Sequence, residues 1–407
     1  MVGKTNAKGG GGVAPVATWL YGYDLTVTDS NPATRVVYPS GVDNSSFVPA
    51  YMDYTNNFFN YYNWGCVGGE KFMPKPCMLN YDGTVAYYLN PMDYSKKMDD
   101  TASDIANTSF GGNAMIEWGK LYTKRELVGS VYKFRVSNVK ADETYDCWCN
   151  YDKDNNVVEH FYTPIYFGSN ISGKLRSLSG QTNYTGGTAS NEITLAIANG
   201  TDWYTEVLAD HLLIQDLLVM MARSTNSQVA YGNGRCANGI TTAINTGTMD
   251  TKGMFWGDDN TASGVKVFGM ENRWGNLWRR TAGWINANGT QKIKITRGTH
   301  DGSIATDYNI DGTDYITLSG ATPSGTNGGY ISAMKNDLPY GRIPITASGS
   351  ASTYECDTLN FNSAITGYSV LGGGFSSTTT VSGAFTAILN WPSTDTQAFC
   401  GTSITYK

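Results

Sequence analysis

The residues best suited to chemistry in this 407-residue chain are its seven cysteines, its three histidines and several close pairs of aspartates. His160, His211 and His300 are far apart in the sequence. The sequence contains no HExxH, GxSxG or phosphate-loop pattern, so none of these catalytic motifs is indicated. Turn chemistry explains a close pair such as Asp152 and Asp154 better than an EF-hand loop does. We therefore expect no enzyme activity, no cofactor and no bound metal.

The cysteines are odd in number, and none has the spacing of a common zinc or redox signature. Cys147 and Cys149 flank a single tryptophan, whereas those signatures place two or more residues between the cysteines. In a β-strand the two side chains would point to the same face of the sheet. We predict free thiols that are mostly buried.

The composition favours β structure with many polar loops. Charged residues make up only 16% of the chain, whereas aromatic residues make up 13% and include 27 tyrosines. Glycine is also abundant, at 47 residues. Tyrosines separated by small polar residues are typical of all-β surface proteins and of binding surfaces, and composition leaves both interpretations open. The fold class that we predict is predominantly β, of the α+β type.

Charge and hydropathy argue against two classes of partner. The net charge is −6 and the isoelectric point is about 5.2, whereas a nucleic-acid-binding protein needs a cationic face. No run approaches the roughly 20 apolar residues of a membrane-spanning helix, so we expect neither nucleic-acid binding nor membrane insertion. The first residues, MVGKTNAKGGGG, lack the apolar core of a secretory signal, and we expect synthesis in a cytosol.

The sequence divides into three segments. Residues 1–18 are a Gly- and Lys-rich arm that cannot form a core by itself. Strand-like alternation with turn residues fills 19–104, which we predict to be a β module. A polar connection at 96–113 marks the predicted boundary with a larger domain at 105–407.

One convincing helix is predicted, from about Asp202 to Arg223. Apolar residues recur there at helical spacing and cover most of the circumference. A helix that is apolar on most sides is buried, so we expect one long buried helix in the larger domain. His211 lies on this apolar helix and is predicted to be a hydrogen-bonded core residue.

The stretch GMENRWGNLWRR, at 269–280, combines two tryptophans with three arginines. Its glycines interrupt it too often for a membrane-active helix, and it carries too little charge for a nucleic-acid clamp. We predict a compact turn in which Trp274 and Trp278 anchor a core. Asn272 and Asn276 would cap backbone groups, and the arginines would stack on aromatic rings or pair with acids.

The same stretch resembles a known family. GMENRWGNLWRRTAGWI is similar to the G-x-E-N-x-W-G-N-x-W signature of formylglycine-generating-enzyme-like domains. These domains are a branch of the C-type lectin fold that head-fibre, tail-fibre and receptor-binding proteins of gut bacteriophages use. Six other segments resemble parts of that family, and they follow one another in the expected order. These segments are 76–97, 112–124, 173–180, 209–228, 370–390 and 400–407. The resemblance covers roughly residues 19–407, and its fold-defining scaffold would be Asn272, Trp274, Gly275, Asn276, Trp278, Gly372 and Gly373.

The chain departs from the enzyme branch of that family. The enzymes hold copper with two nearby cysteines close to the C-terminus, whereas Cys356 and Cys400 are 44 positions apart. Trp278 and Arg279 replace the usual acidic-aromatic pair, and the closing G-F-R is GTSITY here. We interpret this as a scaffold that is kept without its catalytic site.

The resemblance implies a structural protein of a tailed-bacteriophage virion, of the head- or tail-fibre type. The arm at 1–18 and the module at 19–104 would attach it to capsid, collar or tail proteins. The C-type-lectin-like domain at 105–407 would face outward and serve host adsorption through a cell-surface glycan or protein. The resemblance also implies a homo-oligomer, a homotrimer in particular, made in the host bacterial cytoplasm and exposed on the viral particle.

Loops 322–343 and 350–382 are the predicted receptor-binding face, because they lie before and around the closing glycine turn where the family places its variable surface. The candidate ligand-binding residues are Tyr330, Tyr340, Tyr354, Asp357, Asn360, Asn362, Tyr368 and Phe375. Two alternatives stay open. One is an architectural capsid decoration, collar or tail protein without receptor binding. The other is an enzyme, which would need paired acids in a deep groove or Cys356 close to Cys400.

Overall fold

The computed structural model describes residues 18–65, 71–237, 239–294, 315–318, 328–361, 364–375 and 382–407. The predicted arm lies outside the described residues except for Thr18. Asn362, His300 and parts of both predicted binding loops also lie outside them. Within the described part of the chain, strands far outnumber helices, which confirms the predominantly β fold.

The described strands and helices are numbered in chain order. The strands before the long helix are β1 (Leu20–Thr26), β2 (Val36–Val37), β3 (Tyr51–Asp53), β4 (Phe58–Asn60), β5 (Lys75–Asn80), β6 (Val85–Asn90), β7 (Asp93–Lys97), β8 (Gly112–Gly119), β9 (Tyr122–Val128), β10 (Val131–Ser137), β11 (His160–Pro164), β12 (Ser169–Ile171), β13 (Lys174–Arg176) and β14 (Trp203–Thr205). The helices are α1 (Ala189–Ile197), α2 (Leu208–Ala222) and α3 (Ser227–Tyr231). The later strands are β15 (Lys266–Val267), β16 (Met270–Glu271), β17 (Trp278–Ala287), β18 (Thr290–Lys294), β19 (Tyr315–Thr317), β20 (Gly329–Leu338), β21 (Gly341–Ala347), β22 (Thr358–Phe361), β23 (Thr366–Leu371), β24 (Ala387–Trp391), β25 (Cys400–Gly401) and β26 (Ile404–Tyr406).

Three larger sheets hold most of these strands. The first has the order β2-β1-β10-β9, and the second has the order β14-β26-β11-β8-β5-β6-β7. The third has the order β19-β18-β17-β23-β24-β22-β20-β21, with β25 paired to β17. The remaining strands form two-stranded ribbons, β3 with β4, β12 with β13 and β15 with β16.

Strands on the two sides of the predicted boundary at 104/105 pair with each other. β1 pairs with β10 along seven residue pairs, from Leu20 opposite Ser137 to Thr26 opposite Val131. β5 pairs with β8 from Lys75 opposite Glu117 onward. Apolar residues from both segments also share one buried cluster. In this structure the segment 19–104 is therefore built into the same sheets and the same core as the residues that follow it.

The long helix α2 lies inside that core. All fifteen of its residues are buried, which confirms the prediction of one long buried helix. Its polar residues have partners, as burial requires. Asp216 accepts a hydrogen bond from Tyr23 at 2.7 Å and pairs with Arg125 at 2.8 Å. Gln215 donates to the carbonyl of Ala384 at 2.6 Å.

The predicted start of this helix is wrong by six residues. Trp203–Thr205 form strand β14, and the helix begins at Leu208. Aromatic and β-branched residues favour strands, and here they gain a ladder of hydrogen bonds to β26. The helix ends where Arg223 takes a left-handed conformation, with φ of 48°. No helix in the described residues is long and apolar enough to cross a membrane.

The cysteines agree with the prediction of free, buried thiols. The described residues hold six free cysteines and all six are buried, whereas Cys66 lies outside the described residues. Cys147 and Cys149 do not lie in a strand, because Trp148–Asn150 form a 3₁₀ turn that begins after Cys147. Burial raises the pKa of the Cys149 thiol well above its usual value.

Candidate functional site

The stretch that carries the family resemblance forms a buried turn between β16 and β17. Asn272, Gly275 and Asn276 all have left-handed backbones, with φ of 53°, 69° and 59°. Asparagine and glycine adopt this conformation at the lowest cost, which explains their positions here. Gly275 also lies against the backbone of Arg235, where a Cβ would meet the amide nitrogen at 2.6 Å. Its own amide donates to the carbonyl of Gly372 at 3.0 Å, so the turn is tied to the closing glycines.

Both tryptophans of this turn lie inside the protein. Trp274 is fully buried, and its indole nitrogen donates to the carbonyl of Gly232 at 2.9 Å. Trp278 packs edge-on against Trp391, with ring centroids 5.9 Å apart. Asn276 caps backbone groups in both directions, because its side chain accepts from the amide of Ile244 at 2.9 Å and donates to the carbonyl at 3.3 Å. These side chains form a frame and present no surface to a ligand.

Two arginines of the turn clamp it to Glu206, which lies two residues before α2. Arg273 and Arg279 both pair with Glu206, the latter at 2.7 Å. All three side chains are nearly inaccessible to solvent. Burial opposes ionisation of the Glu206 carboxyl, but the two guanidinium groups outweigh it and lower its pKa to about 2. The carboxylate is therefore charged throughout the physiological pH range.

His211 completes this cluster from α2. Its Nδ1 lies 2.7 Å from an Nη of Arg273, and its Nε2 lies 3.4 Å from the carbonyl of Ala384. A guanidinium can only donate, so Nδ1 accepts and the ring proton resides on Nε2. Burial and the neighbouring Arg273 lower the pKa of His211 to about 3, so the ring is neutral. The cavity beside it has a volume of about 10 Å³, which is too small for a substrate. This cluster is therefore packed as part of the core.

The third arginine of the turn makes a separate buried pair. Arg280 binds Glu192 of α1, and both side chains are fully inaccessible to solvent. The guanidinium carbon of Arg280 lies 4.8 Å from the ring centroid of Tyr368. Burial raises the pKa of the Glu192 carboxyl to about 7, in spite of the nearby cation. Ion pairing and ring stacking, the two roles predicted for the arginines, thus occur together.

Four residues of the predicted receptor-binding face are buried, which corrects the expectation that they are exposed. Tyr340 is 1% exposed and its hydroxyl donates to the carbonyl of Lys294. Asp357 is 2% exposed and accepts from the amide of Phe385 at 2.7 Å. Tyr368 is fully buried under Arg280, and Phe375 packs in a small apolar cluster. Aromatic rings and hydrogen-bonded carboxyls gain more from core packing than from exposure, so the Tyr-rich pattern did not mark a surface.

The other described candidates stay partly accessible. Tyr330, Tyr354 and Asn360 are half-buried, and Asn362 lies outside the described residues. Tyr330 and Asn360 lie on the neighbouring strands β20 and β22. Tyr354 lies elsewhere, beside Arg35, with the guanidinium carbon 5.3 Å from its ring centroid. The structure therefore brings two of the candidates to one sheet and leaves the third next to the first sheet.

Cys356 and Cys400, the pair that oxidase chemistry would need, have different surroundings. The groups that act on the Cys356 thiol are Asp357, Glu355 and Arg35, whereas Arg280 and Glu192 act on Cys400. Burial raises the pKa of each thiol to about 12. Each thiol is therefore held in its protonated form in this arrangement.

A polar cleft that sequence reasoning missed opens between the first and second sheets. Its volume is about 480 Å³, within the range of sites that bind small ligands. We call it the lysine cleft, and it is lined by Trp19, Lys71, Phe72, Met73, Lys75, Glu117, Gly119, Lys120, Leu121, Asn138, Glu159 and His160. Strands β5, β8 and β11 supply one wall, because Lys75 lies opposite Glu117 and Gly119 lies opposite His160.

The charges of the lysine cleft are unevenly satisfied. Glu117 is buried, and its two oxygens accept from the hydroxyls of Tyr88 at 3.0 Å and Tyr162 at 3.1 Å. Lys120 pairs with Glu159, whose side chain is 74% exposed at the rim. Lys75 lies 5.1 Å from the ring centroid of Tyr88 and has no ion-pair partner among the described residues. The arrangement provides a cationic group inside a cleft with one buried and one exposed carboxylate.

Comparison with protein-family models and with curated protein sequences finds no match to this chain. The functional conclusion therefore depends on the residues and on their arrangement.

Proposed function

We propose that this chain is a bacteriophage virion structural protein, of head- or tail-fibre type, that displays a C-type-lectin-like domain for host-surface binding. The observation that carries the proposal is the buried turn at 269–280. The residues that resemble the family signature are those that form the turn and clamp it to the core through Glu206. This supports a rigid frame whose binding residues lie on its periphery, as receptor-binding domains require.

In this proposal the first residues attach the protein to other virion subunits, and the later loops face the host. The pairing of β1 with β10 and of β5 with β8 suits such a role, because load on the attachment segment passes directly into the sheets. The accessible part of the receptor-binding face is then Tyr330, Tyr354 and Asn360. A homotrimer on the viral particle is part of the same proposal.

The second candidate is an architectural virion protein without receptor binding. The observation in its favour is that Tyr340, Asp357, Tyr368 and Phe375 are buried within the chain itself. Fewer residues are then left in the predicted face to contact a host receptor.

Immunolabelling of purified virions in the electron microscope separates the two candidates. One antibody is raised against the partly exposed loop at 348–354, and a second is raised against the mostly exposed segment at 96–102. A fibre with an outward-facing domain labels at its tip with the first antibody, whereas the second labels only disrupted particles. Labelling by the first antibody only after disruption would favour the architectural role, and no labelling of any particle component would refute both.

Adsorption to host cells tests the face directly. Virions that carry alanine at Tyr330, Tyr354 and Asn360 together are compared with virions that carry Tyr51→Ala. Tyr51 is a matched control because it is an exposed tyrosine, 43% accessible, in the proposed attachment segment. Loss of adsorption in the triple variant alone supports the face, and equal adsorption by both refutes it.

A further inference from the structure

We propose that the lysine cleft binds a carboxylated saccharide, such as a uronic acid residue within a glycan. This inference deepens the proposed function by naming a ligand class, and it rests on that function only for where the ligand is found. The cleft lies between the first and second sheets, and none of the residues that line it belongs to the predicted receptor-binding loops 322–343 and 350–382.

The walls of the cleft suit a sugar ring. Trp19 is half-buried at the entrance, and its ring centroid lies 6.4 Å from that of Phe72. The backbone of Trp19 is anchored because its amide donates to Oδ1 of Asn138 at 3.1 Å, and its ring also packs against Tyr21 with centroids 5.2 Å apart. A fixed aromatic face provides apolar contact for the C–H face of a pyranose at low entropic cost. The lining around it is polar, which is what the hydroxyl groups of a sugar require.

The charges of the cleft suit one carboxylate. Three lysines line the cleft against two carboxylates, Glu117 and Glu159. Each oxygen of Glu117 already accepts a hydrogen bond from a tyrosine hydroxyl, and Glu159 is at the solvent-exposed rim. An exposed ion pair contributes little, so a ligand carboxylate can displace Glu159 from Lys120 at small cost. Lys75 offers a second ammonium group, and hydrogen bonds between charged groups are about twice as strong as neutral ones.

The same carboxylates argue against a polyanion. A phosphate monoester or a nucleic-acid backbone carries more negative charge, and Glu117 is fixed in the wall where it would repel that charge. The chain as a whole also carries a net charge of −6. A singly charged saccharide satisfies the lysines and leaves Glu117 able to accept a hydrogen bond from a hydroxyl group.

Isothermal titration of the purified full chain tests this ligand class. The probes are an acidic trimer that contains one galacturonic acid residue and two galactose residues, the matched neutral trimer of galactose, and inorganic phosphate. We expect the acidic trimer to bind at least about tenfold more tightly than either of the other two, because only it supplies both the ring and the charge. Equal binding of phosphate, equal binding of the neutral trimer, or no binding of the acidic trimer would overturn the proposal.

Matched variants locate the binding. Lys75→Gln removes the unpaired ammonium group of the cleft, and Lys97→Gln is its control. Lys97 lies over the ring of Tyr87 at 4.5 Å, much as Lys75 lies over Tyr88 at 5.1 Å, but it does not line the cleft. We expect about tenfold weaker binding for Lys75→Gln and no change for Lys97→Gln. Equal effects of the two substitutions would contradict the location.

Hydrogen exchange on the wild-type chain locates the bound ligand without any variant. The acidic trimer should slow exchange in peptides from 71–75 and 117–121 and leave 348–354 unchanged. Protection elsewhere alone would place the ligand outside the cleft. Binding at the cleft in a protein whose antibodies never label virions would leave this inference standing and refute the proposed function. Virion labelling with no saccharide binding would refute this inference and leave the proposed function standing.

Discussion

The buried cluster around Glu206 makes the sharpest prediction about stability. Glu206→Gln keeps the shape of the side chain but removes the charge that balances Arg273 and Arg279. Both guanidinium groups then stay buried without a counter-charge. We expect a large loss of folding free energy, because breaking a buried pair leaves an uncompensated charge in the interior.

The size of that loss follows from the pKa of the carboxyl group. Its pKa is lowered from 4.5 to about 2. That lowering corresponds to roughly 3 kcal/mol of stability at neutral pH, at about 1.4 kcal/mol for each tenfold change in the ionisation constant. Removing one partner of a buried pair typically costs about 3–5 kcal/mol. We therefore expect Glu206→Gln to lower the free energy of unfolding at pH 7 by about 3–5 kcal/mol.

The pH dependence gives the prediction its sign. A carboxyl with a depressed pKa stabilises the fold fully above its unfolded value of 4.5, and that contribution is lost as the pH falls towards 2. The difference in the free energy of unfolding between wild type and Glu206→Gln should therefore be constant above about pH 5 and should become smaller in more acidic buffer. Urea unfolding at pH 7, 5 and 3.5 measures it, with Glu143→Gln as the control because its side chain is 93% exposed. A loss no greater than that of the control, or a difference that stays constant in acid, would refute the reasoning.

Three further predictions concern other buried groups. Burial raises the pKa of the Asp357 carboxyl to about 8, so the wild type loses stability as the pH rises from 4 to 8. Over that range, urea unfolding should show that the free energy of unfolding of Asp357→Asn rises relative to that of the wild type. Gly372→Ala should lower the melting temperature more than Gly41→Ala. Both glycines have φ near 86°, but only at Gly372 would an added Cβ meet a carbonyl oxygen, that of Arg273 at 2.6 Å. A thiol reagent at pH 8 should label none of the six described cysteines in the native chain, and their labelling should require unfolding.

The sequence predicts the class of the fold well because composition and periodicity report burial. A helix apolar on most sides has no stable place except a core, and α2 is found there. The start of that helix could not be read from periodicity, because Trp203–Thr205 continue the apolar pattern while pairing with residues about 200 positions later. Local sequence carries no information on such a partner.

The candidate site was harder to predict for a related reason. Tyrosines suit both a core and a binding surface, so Tyr340 and Tyr368 could not be assigned to either from residue type alone. The lysine cleft had no sequence signal of its own, because Lys75, Glu117 and His160 are brought together only by the register of β5, β8 and β11. Lysines in separate polar segments look like ordinary surface residues until that register is known.

The position of β26 has a consequence for how the chain folds. Ile404–Tyr406 lie between β14 and β11 inside the second sheet, so these two strands are joined by one that is made much later. During synthesis the edges of β11 and β14 remain unpaired until the ribosome has released that segment. Strand pairings between residues this distant in sequence form slowly. Until they form, the unpaired edges of β11 and β14 can pair with other chains and cause aggregation. We expect a truncation before Ile404 to reduce the yield of soluble protein far more than its few residues would suggest.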